Sequence, residues 1–84
     1  MPKYVFFTKE LEPVGKPEQI YGILRDTIPY WKYYFPELSE YVINHCSFIE
    51  TKIERDYARD RIIAKIVGIM PEQDYIWYRL KFEV

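Results

Sequence analysis

The period of the hydrophobic positions changes along the chain, and those changes divide it into elements. From residue 3 to 11 the pattern alternates: Val5, Phe7 and Leu11 on one side, Tyr4, Phe6 and Thr8 on the other. A period of two predicts a strand, and because both sets begin apolar, one covered on both faces near its start. Pro13 and Gly15 break it. Pro17 and Glu18 then open a helix, since proline suits the first turn and a carboxylate suits the positive end of the dipole. Ile20, Ile23, Leu24, Thr27 and Ile28 follow at the spacing of one buried helical face. Pro29 is expected to stop this helix, because the residue before a proline is biased away from helical angles. Pro36 and Glu37 start a second, short helix, to about residue 44, with Leu38, Tyr41 and Val42 at helical spacing.

Residues 48 to 54 again alternate, with Ile49 and Ile53 facing a core and Glu50, Lys52 and Glu54 facing away. A long helix over 48–67 competes with this reading, because Ser47 and Glu50 have capping-box spacing and Gly68 and Pro71 could end it. That helix would place Asp56 and Asp60 in the middle of its apolar face, and two buried unpaired carboxylates cost several kcal/mol. Two strands, about 47–55 and 61–70, joined by a charged turn, are the better fit. Met70-Pro71-Glu72-Gln73-Asp74 reads as another turn. The last segment alternates as well, with Ile76, Tyr78, Leu80, Phe82 and Val84 on one face and Tyr75, Trp77, Arg79, Lys81 and Glu83 on the other. The expected order is therefore β-α-α-β-β-β over a single domain, residues 1–84. The fold class is α+β: an antiparallel sheet, a three-strand meander joined by the first strand, with helices packed on one face.

Length narrows what can stabilise such a domain. A chain of 84 residues buries only about 60–65% of its unfolded surface. Cys46 is the sole cysteine and His45 the sole histidine, which excludes an internal disulfide and a closed zinc site. Dense packing and self-association remain. Hydrophobic residues are 49% of the chain and aromatic residues 19%, well outside the range of disordered segments. The net charge of −1 lacks the basic excess that duplex nucleic acid requires. No apolar run reaches the ~18–20 residues of a membrane span, and the apolar stretch after Met1 is too short for a signal peptide. A cytoplasmic protein is expected. Asn44 is the only asparagine and Gln19 and Gln73 the only glutamines, among many Lys, Glu and Arg. That balance points to a thermophilic archaeon or one of its viruses, or alternatively to an AT-rich genome.

Catalytic chemistry finds little support. His45 and Cys46 are adjacent, so in an extended segment their side chains point to opposite faces and a thiol–imidazole pair does not form. Glu50, Glu54, Asp56 and Asp60 lie among Lys52, Arg55, Arg59 and Arg61, the pattern of a solvated charged face. Gly15, Gly22 and Gly68 are isolated, so no phosphate-binding loop is present. No enzyme activity, cofactor or metal is expected.

The aromatic segments are the candidate binding surface. Tyr30, Trp31, Tyr33, Tyr34 and Phe35 lie between Pro29 and Pro36. One reading plugs the core with Trp31 and one or two neighbours and leaves the tyrosines half exposed. The other makes the group an interface or pocket wall. Tyr75 and Trp77 share a face of the expected last strand with Arg79 and Lys81, a combination that stacks and neutralises single-stranded nucleic acid if uncovered.

The stretch from Tyr4 to about Asn44 resembles the opening of the START-like, helix-grip superfamily. The similarity lies in a strand followed by the proline-started helix Pro17-Glu18-Gln19-Ile20-Tyr21-Gly22-Ile23-Leu24-Arg25-Asp26. Aromatics and a proline then follow, Tyr30-Trp31-Lys32-Tyr33-Tyr34-Phe35-Pro36, with a second short helix. The resemblance implies a curved antiparallel sheet wrapped around a long C-terminal helix, with an apolar small molecule held between them. It covers about half of the chain. The rest is too short for the family's remaining strands and closing helix, so a cavity is expected only if two chains complete one another.

The leading expectation is a non-enzymatic binding or interaction module, self-associating as a homodimer or meeting another protein. A sheet must protect its edges, and pairing across a two-fold axis is one way to do so. A carrier of an apolar small molecule is the first alternative and a single-strand nucleic-acid binder the second.

Overall fold

The computed structural model describes residues 2–12 and 17–83. The element order is β1 (Lys3–Leu11), α1 (Pro17–Tyr34), α2 (Pro36–His45), β2 (Phe48–Asp56), β3 (Arg61–Ile69) and α3 (Glu72–Phe82). The class is α+β, with one three-stranded antiparallel sheet in the order β1-β3-β2 and the helices on one face. The expected break at Pro13 and Gly15, and Val84, lie outside the described residues.

β3 is central because its sequence is apolar on both faces. Ile62, Ala64, Ile66 and Gly68 face the helices and are buried, and on the opposite face Val67 is buried between Val5 and Glu50 in the register. β1 shows how two adjacent phenylalanines are accommodated. The register shifts between Val5, opposite Val67, and Phe7, opposite Ile66, so Phe6 is the extra residue of a β-bulge. The bulge brings Phe6 and Phe7 both to the helical side, one buried in the core and the other packed against it. The doubly apolar start of β1 therefore reflects a bulge and not the expected cover on both faces: Val5, on the face away from the helices, is 47% exposed.

The β2–β3 hairpin has the strand boundaries expected from the alternation, with Ile49, Thr51 and Ile53 registered against Gly68, Ile66 and Ala64. Its turn closes on Asp60 at φ 49°, a conformation that aspartate tolerates better than most residues. Gly68 is required by close approach: a Cβ there would lie 2.9 Å from Cys46 Sγ, 3.0 Å from the Phe48 carbonyl oxygen and 3.2 Å from Phe6.

Two expectations are corrected. Pro29 does not stop α1, which runs on to Tyr34. A proline in a helix removes one hydrogen bond and costs about 3 kcal/mol. Here the buried face continues from Ile23 and Thr27 to Trp31, which is 0% exposed, and that burial offsets the defect. Phe35 alone then joins α1 to α2, with Pro36 in the first turn. The second correction is the last segment, an α-helix instead of a strand. Tyr78 is buried and Tyr75 and Phe82 pack partly buried against the core, at i+3, i and i+7, so the helical period wins over the alternation of Ile76, Tyr78, Leu80 and Phe82. Glu72 and Asp74 in the first turn and Arg79 and Lys81 in the last complement the dipole.

The core joins all layers: Phe6 from the sheet edge, Ile66 and Met70 along and beyond β3, Trp31 from α1, Val42 from α2 and Tyr78 from α3. Rings continue it. Tyr4 stacks on Tyr75 with centroids 3.6 Å apart, and Tyr78 meets Phe6 edge-on at 5.1 Å. The Tyr41 hydroxyl donates to the Asp74 carbonyl (2.9 Å), tying α2 to the start of α3.

Candidate interaction surfaces

The candidate residues divide into one core residue and two separate surfaces. Trp31 is a core plug. Around it α1 presents Tyr30, Tyr33 and Tyr34 outward at the i, i+3 and i+4 positions, with Phe35 at the helix end; Tyr33 is 78% exposed. Tyr34 contacts Tyr30 at 4.5 Å and Tyr33 at 4.9 Å between centroids. Phe7 on β1 meets both Tyr30 and Phe35, and Lys9 Nζ sits 3.7 Å above the Tyr30 ring. The result is an aromatic ridge above strand β1, an edge of the sheet. Beside it, Lys9, Leu11, Gly22, Ile23, Asp26 and Tyr30 border an open groove of about 340 Å³.

The second surface is the outside of α3. A helix turns 100° per residue, so Tyr75 and Arg79 lie on one side and Trp77 and Lys81 on nearly the opposite one. Tyr75 is turned inward onto Tyr4. The common face expected of Tyr75, Trp77, Arg79 and Lys81 is therefore dissolved, and with it the stacking platform for a nucleic-acid strand. Strand alternation hid a different grouping. Ile76, Trp77 and Leu80 are 50%, 58% and 61% exposed and form an apolar outer stripe. Arg79 pairs with Glu83 (3.3 Å), and Lys81 Nζ lies 5.4 Å from the Phe82 ring. Ile76, Arg79, Leu80 and Glu83 enclose an open groove of about 400 Å³. The signal that would have found this stripe is the helix pattern itself, acids first and bases last, after a proline.

The sheet face away from the helices is of another kind. Lys3 pairs with Glu50 (2.8 Å) and Lys65 with Glu54 (2.8 Å), and Glu10 with Arg59 (2.7 Å) near the hairpin end. The Lys3 ammonium holds the Glu50 carboxyl below the usual range, and Glu50 raises Lys3 in return. Val5 and Phe48 are half exposed at one end of this charged lattice. Such a face is well solvated.

Burial pushes the Cys46 thiol up to about 11, so it is protonated and weakly nucleophilic at neutral pH. His45 turns the other way: its ring stacks on Tyr41 at 4.0 Å and Nδ1 donates to the Tyr41 carbonyl (2.7 Å). The carboxylates around the hairpin turn are paired in solvent, Asp60 with Arg55 (3.2 Å) and Asp56 with Arg59 (3.9 Å). Among the described residues no group of three or more His, Cys, Asp or Glu is placed to hold a metal ion, and no helix is long and apolar enough to cross a membrane. No protein-family model, curated protein or solved structure matches the chain.

Proposed function

We propose that this chain is a non-enzymatic interaction module that works as a homodimer. The observation that carries this reading is α3, a helix apolar on two sides. Tyr75, Tyr78 and Phe82 enter the core while Ile76, Trp77 and Leu80 face outward. An exposed apolar stripe opposite a buried one, with charged residues on its flanks, is the pattern of a helix that a second molecule covers. The protomer's dimensions agree. Its accessible surface is 5932 Å², against about 5,350 Å² for a folded monomer of this mass. Its radius of gyration is 13.7 Å, against about 12 Å for a compact chain of this length. The long axis spans 40 Å and the other two 25 and 23 Å. An elongated protomer with surplus surface, part of it the apolar stripe of α3, is one that gains by pairing.

A carrier of an apolar small molecule, the function implied by the START-like resemblance, is the second reading. What favours it is the groove of about 340 Å³ between α1 and β1, large enough for a small ligand. The groove is open and bordered by Lys9 and Asp26, and the space inside the fold is taken by Trp31, Met70 and Tyr78. The dimer reading therefore ranks first.

Small-angle scattering and sedimentation over a concentration series test it. The expected result is a particle of twice the 10.3 kDa chain mass, with a radius of gyration well above 13.7 Å at high concentration. A mass and radius that stay at the protomer values throughout would remove the proposal.

A further inference from the structure

We infer that the outer face of α3 is a self-complementary seam, on which a second copy of this chain packs its own α3 antiparallel about a two-fold axis. This rests on the homodimer reading above and names the surface that reading leaves open.

Charge selects the second copy as the occupant. At 100° per residue the apolar stripe of Ile76, Trp77 and Leu80 has Glu72 and Arg79 along one flank and Asp74 and Lys81 along the other. Each flank carries its acid in the first turn and its base in the last; Glu83 follows on the first flank and pairs with Arg79 within the protomer (3.3 Å), so the partner subunit's Glu72 shares or replaces that contact. A two-fold axis perpendicular to both helices brings each flank against the same flank of the partner, running in reverse. Glu72 then approaches the partner subunit's Arg79, and Asp74 approaches the partner subunit's Lys81. The two pairings centre between Tyr75 and Ile76 and between Trp77 and Tyr78; their midpoint, between Ile76 and Trp77, leaves each pair about 3 Å out of step along the axis, which the long Arg and Lys side chains span. That centre sets Ile76 against the partner subunit's Trp77, and Gln73 against the partner subunit's Leu80. Apolar seam and both charged flanks are thus satisfied by one register, and by symmetry each contact occurs twice. The opposed helix dipoles add to the same preference. A parallel pairing would set acids on acids and bases on bases.

The alternatives on the molecule lack this match. The α1 ridge of Tyr30, Tyr33 and Tyr34 carries Lys9 on its Tyr30 ring, and on the open sheet face the facing acids and bases, Glu50 with Lys3 and Glu54 with Lys65, pair with each other at 2.8 Å. α3 is only about 16 Å long, so the seam belongs to the small end of specific interfaces. Association is then expected in the micromolar range.

Tryptophan emission reads the seam directly, because Trp31 is buried in the protomer and Trp77 is exposed. The 84-residue chain is diluted from about 300 to 1 µM, with mass by sedimentation and emission recorded together. The expected result is a doubling of mass accompanied by a blue shift of emission. Trp77→Lys, with an unchanged circular dichroism spectrum, should raise the dissociation constant at least about tenfold. Arg79→Glu should weaken association, and Glu72→Arg combined with Arg79→Glu should restore it. A doubling of mass without an emission shift, undiminished association in Trp77→Lys, or no rescue by the double reversal would overturn the seam and leave self-association standing. No doubling at all would remove both.

Discussion

The two tryptophans sit on helices of the same small domain and have opposite fates. Trp31 lies in α1, fully buried against the core, and holds that place even though the helix must pass through Pro29 to deliver it. Trp77 lies in α3, one side chain away from the buried Tyr78, and is more than half exposed. The difference lies in phase. α1 extends a single buried stripe, and Trp31 falls on it. α3 already fills its inner stripe with three rings, so its remaining apolar residues have only solvent, or another molecule, to face. Burial of a large ring is decided by where it falls on the helix, not by how apolar it is.

Substitution of the two rings is the most forceful way to break that comparison. Trp31→Ala should lower the unfolding free energy by about 3–5 kcal/mol, enough to leave a domain of this size largely unfolded, whereas Trp77→Ala should change the protomer by less than about 0.5 kcal/mol. Urea unfolding at a concentration where the chain is monomeric measures both, and equal losses would undo the contrast. Gly68→Ala probes the wall behind the buried set. Its methyl group would crowd a backbone oxygen and the Cys46 sulfur, so a loss of about 1–3 kcal/mol is expected in the same assay. Indifference to this change would mean that the sheet yields more easily than its register suggests.

Alkaline pH gives the smallest effect and the most local one. Burial, with the Glu83 carboxylate beside it, pushes the Tyr78 hydroxyl up to about 12, above the ordinary 10.0. In the unfolded chain this phenol ionises first. Its contribution is therefore intact below pH 10 and is lost as pH rises from there through about 12. Tyr78→Phe should flatten that part of the stability profile by on the order of 1–2 kcal/mol relative to the parent, as thermal unfolding across the range would report. Parallel profiles for the two proteins would show that ring 78 is less enclosed than Trp31.

Much of the architecture was legible from periodicity. β1, α2, β2 and β3 begin and end close to where the alternation and the prolines place them, because each has one dominant period and clear punctuation. The two misreadings have distinct causes. At Pro29 a local rule met a tertiary contact: the proline's penalty is fixed, but it is outweighed once Trp31 has a core to enter. At 75–82 the residues satisfy two periods at once. Ile76, Tyr78, Leu80 and Phe82 alternate, while Tyr75, Tyr78 and Phe82 are a helical face, and only the charge order of Glu72, Asp74, Arg79 and Lys81 distinguished them. The candidate surface followed the same division. Tyr30, Tyr33, Tyr34 and Phe35 were found where an overcrowded aromatic segment must leave rings outside. The stripe of Ile76, Trp77 and Leu80 was not found, because a strand would have separated Trp77 from the other two.

By itself the sequence determined composition, element spacing and the excess of rings over room to bury them. Those follow from local sterics and from the area a short chain can enclose. Which rings enter, which strand lies in the middle, and whether the last segment coils or extends were decided only by the tertiary structure. Such choices turn on free energies shared between distant residues, a Trp31 with a Val42 or a Tyr4 with a Tyr75, and no window along the chain contains both partners.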